Sequence, residues 1–106
     1  MGLKTAFTKG RNFRIQVVIG LIAVLLGLIL RLDNFEWLDL TLVIASVLIL
    51  ELMNTAIEAI VDMVSPEIQP KAKVAKDVAA AGVLVASIAA IFIGAFLFLS
   101  KILNFL

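Results

Sequence analysis

The sequence predicts an all-α integral membrane protein, with three transmembrane helices following a short N-terminal interfacial helix. Of its 106 residues, 63% are hydrophobic, and the mean hydropathy is +1.18. That is more apolar surface than the interior of a soluble domain this small can hide. The apolar residues gather into three runs, each near the roughly 20 residues needed to cross about 30 Å of hydrocarbon. None of the runs alternates as barrel strands must, so helices are left as the way to satisfy the backbone inside a bilayer.

Residues 1–14 are short, basic and weakly amphipathic. Leu3 and Phe7 share a face, and Lys4, Arg11 and Arg14 can reach headgroups or anchor the topology, so this segment reads as an interfacial arm. The first span covers 15–31 and contains IQVVIGLIAVLLGLIL. A basic stretch before an apolar run also suits a secretory signal, but RLDNFEW follows without a small-residue cleavage site, so the span is expected to be retained. The connection Arg31–Glu36 is short enough to make the first two helices antiparallel neighbours. The second span covers 36–63 with a cytoplasmic extension. Pro66 and Pro70 in SPEIQPKAK forbid one continuous helix into the third span, 72–101. In that third helix Gly82, Ala86, Ala90 and Gly94 recur every four residues, the spacing of a close-packing seam.

Charge orients the bundle. Seven of nine basic residues precede the first span or lie around the second loop, against Arg31 and Lys101 on the other side. The N-terminus and second loop are therefore expected in the cytoplasm of a multi-pass protein of the plasma membrane. Phe35 and Trp37 suit the opposite interface.

The chemistry is concentrated in ELMNTAIEAIVD, residues 51–62. At about 100° per residue, Glu51, Asn54, Thr55, Glu58 and Asp62 fall within an arc of about 100°. A carboxylate in hydrocarbon costs about 2.5–3.5 kcal/mol on insertion scales, so an aligned set calls for an ion, a proton or a substrate. The bland alternative is a structural polar network or a solvated helix extension. The pure apolar run ends at Leu50, which places Glu51 near the cytoplasmic interface and Glu58 and Asp62 nearer water. Across the second loop lie Lys76 and Asp77, readable as a charge pair at a helix start.

The chain has no cysteine and no histidine. Thiol chemistry is excluded, and the commonest general base and transition-metal ligand are absent. What remains is a carboxylate base, carboxylates for a hard cation and lysine for a phosphate, the set that phosphoryl transfer uses. No G-x-x-x-x-G-K-[ST] loop is present, so a P-loop enzyme is excluded. From the residues alone the reading is a metal or phosphate site at a membrane interface. Two other readings fit: a small exporter or proton-coupled channel that uses Glu51, and a non-catalytic scaffold.

Four segments, RNFRIQ (11–16), ELMNTAIEAIVD (51–62), SPE (65–67) and AKVAKDVAAAGVL (72–84), resemble the prokaryotic diacylglycerol kinase and undecaprenol kinase family in order and spacing. The resemblance covers nearly the whole chain. It implies a bacterial inner-membrane homotrimer with active sites shared between subunits, which phosphorylates a lipid hydroxyl with ATP and Mg²⁺; no nucleic acid is expected as a partner. By the same resemblance Glu51 is the general base, Asn54 holds phosphate or substrate, and Glu58 binds the metal. Asp62, Lys76 and Asp77 serve the nucleotide, with Lys76 as the phosphate cation. The chain departs from the pattern at Gly10, where many relatives carry an acidic residue of the metal site; its loss is the route to a catalytically weak scaffold. Gln69 stands where relatives often have histidine, and the N-terminal region is short. The RNFRIQ and SPE forms are closer to the undecaprenol branch.

Overall fold

The computed structural model describes residues 2–67 and 69–105, and the side chains of 6–9, 11 and 105 lie outside that description. The expectations that rest on the side chains of Phe7 and Arg11 fall among these. Helix α1 spans Gly2–Lys9, α2 Arg11–Leu30, α3 Asn34–Val64 and α4 Pro70–Phe105. Among the described residues there is no strand. Three stretches, Asn12–Leu30, Asn34–Val64 and Pro70–Asn104, are long and apolar enough to cross a membrane.

The helix ends follow local chemistry. Gly10 is the N-cap of α2, extended at φ −96° and ψ 99°, and separates α1 from α2. At the other end Arg31 takes a left-handed conformation, φ 58°. Its N–H donates to the Leu28 carbonyl at 3.4 Å, and that of Leu32 to the Gly27 carbonyl at 3.2 Å. This is the Schellman pattern, which satisfies two carbonyls that the last turn otherwise leaves orphaned. Helix α3 opens on a capping box. The Glu36 N–H donates to the Asp33 carboxylate and the Asp33 N–H to the Glu36 carboxylate, each at 2.9 Å. It ends at Val64, where the Ser65 N–H donates to the Val61 carbonyl at 2.8 Å and Pro66 follows. The sequence reading starts the third span at 72, yet Pro70 is the first residue of α4. A proline at the first helical position loses no hydrogen bond, so it starts a helix as readily as it stops one.

Helix α3 packs against both α2 and α4, which barely touch each other. Glycines set the α2–α3 distance. A Cβ on Gly20 would lie 3.2 Å from Ile44 Cγ2, and one on Gly27 would lie 2.9 Å from both Leu32 Cδ1 and Trp37 Cη2. Trp37 therefore spends its ring on the α2 backbone, and Phe35 stays exposed. The buried cluster is small: Leu32, Leu40 and Leu97, with Ala23, Trp37, Ile44 and Phe98 against it. Large apolar side chains such as Ile29, Phe92 and Phe96 point outward, as they do when lipid is the solvent. The seam expected on α4 is not filled within one chain: no atom lies within 4 Å of a Cβ built on Gly82 or Gly94. The close approach belongs to Gly20 and Gly27 because α2 and α4 diverge over α3.

At the end remote from Glu51, Lys101 Nζ donates to Glu36 Oε1 at 2.7 Å, with both side chains 21% exposed. The carboxylate that caps α3 therefore also holds the last turns of α4.

Candidate functional site

Helix α3 carries two buried polar side chains, Glu51 at 5% exposure and Asn54 at 8%. They lie just beyond the apolar run, on the row that the 3.6-residue repeat predicts. Asn54 Nδ2 donates to Glu58 Oε1 at 3.1 Å. Thr55 uses its hydroxyl locally, donating to the Glu51 carbonyl at 3.0 Å. Glu58 lies near enough to Glu51, and to Lys76 on α4, for its charge to act on both. One helical turn further on, the Asp62 carboxylate forms an ion pair with Lys76 Nζ across the α3–α4 gap.

Glu51, Asn54 and Glu58 thus share one row, with Asn54 bonded to Glu58, and Asp62 draws Lys76 to its far end. Asp77 does not join the row within one chain. It pairs instead with Lys73 of its own helix at 3.7 Å, both side chains largely exposed. Residues 51–62 span about 16 Å of helix at 1.5 Å per residue, enough for a proton acceptor at one end and an anion-binding lysine at the other.

Sequence reasoning assigned no role to Gln16. Its side-chain amide lies against the Glu51 carboxylate, while its Oε1 is buried without a partner. Gln16 enters the site from α2 and makes it a feature of two helices. The available signal was a lone amide at the start of an apolar run, one residue beyond Ile15.

Asn54 Oδ1 is the second buried oxygen without a partner. Beside it, Glu58 completes a small set of hard oxygen donors. Among the described residues no three carboxylates converge on one point. So few protein oxygens can hold a hard divalent cation when phosphate oxygens and water complete its shell.

The buried Glu51 and Asn54, the half-buried Glu58 and the Asp62–Lys76 ion pair are carried on helices long and apolar enough to cross a membrane, which defines the class as a membrane protein with a polar site built into its second span. The sequence profile of prokaryotic diacylglycerol kinase matches residues 1–98. The chain is 40% identical over 104 residues to a diacylglycerol kinase of Synechocystis, covering 97% of this chain and 59% of that one. It is 37% identical over 99 residues to an undecaprenol kinase of Bacillus subtilis, covering 93% and 80%. A diacylglycerol kinase of Escherichia coli is 36% identical over 90 residues, covering 85% and 74%. The chain belongs to the prokaryotic diacylglycerol kinase family.

Proposed function

We propose that this chain is an ATP-dependent lipid kinase that phosphorylates a primary hydroxyl at the membrane interface. The observation that carries the proposal is the burial of Glu51 and Asn54 on one helix row, with Asn54 bonded to Glu58, Glu58 close enough for its charge to reach Lys76, and Lys76 paired with Asp62. Glu51 takes the proton of the lipid hydroxyl as its oxygen bonds to the γ-phosphorus of ATP and the bond to the β-phosphate oxygen breaks. Asn54 orients Glu58 and the transferring phosphate. Lys76 neutralises phosphate charge, and Asp62 holds the lysine ready until nucleotide arrives. Asp77 contacts the nucleotide. Glu58, with Asn54 Oδ1, would hold Mg²⁺, which when bound would supply charge neutralisation for the phosphates. The relatives' names include both diacylglycerol kinase and undecaprenol kinase, so either lipid is a candidate substrate. We further propose a homotrimer with shared sites, α1 lying in the interface, and a single domain over 1–106. The exporter and scaffold readings gain no comparable support.

The direct test uses purified protein in micelles with labelled ATP, Mg²⁺, and diacylglycerol or undecaprenol. Label should reach one of the lipids; an intact oligomer that labels neither refutes the kinase.

Orientation follows from the asymmetry of basic residues, with the second loop in the cytoplasm of a bacterial inner membrane. Cysteine at Gln69 should react only with reagent on the cytoplasmic face, and cysteine at Asn34 only from outside. Both positions are exposed. The reverse pattern would remove the site from cellular ATP.

Gly10 bears on metal affinity. It is a non-helical N-cap without a side-chain cap, so a substitution there gains nothing from helix propensity, contrary to what a helical Gly10 would imply. Gly10→Ser should stabilise α2 by only about a few tenths of a kcal/mol through capping, since glycine is itself a tolerated N-cap, and leave Mg²⁺ dependence alone. Gly10→Glu should lower the Mg²⁺ concentration for half-maximal activity, because hard cations follow ligand charge. Equal Mg²⁺ titrations for the two variants would remove position 10 from the metal site.

A further inference from the structure

The divergence of α2 and α4 over α3 leaves an apolar cavity of about 290 Å³. Gln16, Gly20, Ile44, Leu48, Ala90 and Gly94 are among its lining residues. Along α3 it runs from Leu48 to Leu40, about 12 Å at 1.5 Å per residue. Its upper end reaches Gln16, whose amide lies against Glu51 and whose Oε1 has no partner. Ala90 and Gly94 of α4 form one wall of it, and nothing in the chain lies within 4 Å of a Cβ built on Gly94.

Resting on the kinase reading, we infer that this cavity receives the first stretch of a single-chain lipid alcohol, whose hydroxyl sits between Gln16 and Glu51. Three features select that occupant. The cavity is lined almost wholly by apolar side chains, so it takes hydrocarbon and not a headgroup or nucleotide. An apolar cavity of about 150 Å³ holds benzene, so about twice that volume takes roughly a dozen carbons, the first stretch of one chain. The one polar end lies beside the carboxylate, and the unpartnered Gln16 oxygen there can accept the hydrogen bond of an incoming hydroxyl before Glu51 takes the proton. The selectivity this implies is for a single chain, such as a polyprenol, over a two-chain glyceride.

The test fills the cavity from α4. Gly94→Leu and Ala90→Leu add side chains on the cavity wall, and at Gly94 no atom lies within 4 Å of the new Cβ. For a long-chain alcohol, each should raise KM by at least about tenfold, in the range of lost pocket contacts. KM for ATP, and kcat/KM for an alcohol too short to enter the cavity, should stay near wild type. An unchanged KM for the long chain, or equal loss on short and long substrates, overturns the inference. Loss of the oligomer in both variants also overturns it, since a second copy would then occupy the groove. In parallel, a diazirine-bearing fatty alcohol in phosphatidylcholine vesicles should label Ser87–Gly94 in the wild type and not in Gly94→Leu. Labelling that the plug does not reduce counts against the cavity. Because it reads binding alone, it separates failure of the cavity from failure of the kinase, which appears as no phosphate transfer by the wild type to any alcohol.

Discussion

Glu51→Gln is expected to reduce turnover by about 10²–10⁴-fold, the size of a general-base contribution, with fold and oligomer intact. Glu51 is 5% exposed, and the Gln16 amide against it can equally face the oxygen of a neutral amide. The substitution keeps shape and hydrogen-bonding capacity and removes only the capacity to take a proton. With no histidine in the chain, no neighbouring imidazole can replace it. Removing a charge from an apolar surround costs the fold nothing, so the melting temperature in detergent should hold or rise. KM for ATP should change little. Turnover within threefold of wild type would remove Glu51 from the role of base, whatever happened to stability.

Lys76→Met should lower kcat/KM for ATP by about 10²–10³-fold, comparable to losing one preorganised donor at a developing anion. The ion pair with Asp62 is largely exposed, its side chains 39% and 64% accessible. Exposed pairs add little to stability, so melting should stay near wild type, and the loss would be one of phosphate binding. Asp62→Asn frees Lys76 without removing its charge and should cost much less. In the double variant, Asp62→Asn should add little to Lys76→Met, because the aspartate acts through the lysine. A Lys76→Met protein that turns over normally, or that fails by unfolding, would make the pair a brace between α3 and α4.

The three spans could be read from the apolar runs because a bilayer imposes one length and one backbone solution on any segment that crosses it. The same periodicity placed Glu51, Asn54 and Glu58 on one row, since that row lies within a single helix. Information was lost wherever two helices meet. Gly20 and Gly27 are seven residues apart on α2 and fix its distance from α3, a spacing less conspicuous in the sequence than the four-residue repeat on α4, whose Gly82 and Gly94 meet nothing within one chain. Glu36 and Lys101 are 65 positions apart, and no local rule pairs them. Gln16 reaches Glu51 only because α2 and α3 are antiparallel in a particular register. Pro70 was legible as punctuation but not in its sense, since proline serves both before and after a helix boundary.

The Glu36–Lys101 pair gives α4 a fulcrum. From Lys101 to Lys76 is 25 residues of unbroken helix, a lever arm of about 37 Å. At the far end the exposed contact with Asp62 and the short connection through Pro66 and Pro70 tie it to α3. For a rigid rod of that length, a tilt of about 5° sweeps the Lys76 end through about 3 Å, the difference between an ammonium held on the Asp62 carboxylate and one withdrawn from it. Near the fulcrum the same tilt displaces Leu97 by only a few tenths of an ångström, so the buried leucine cluster would hardly register it. Leverage of this kind allows a helix that is nearly stationary in one leaflet to work as a gate in the other.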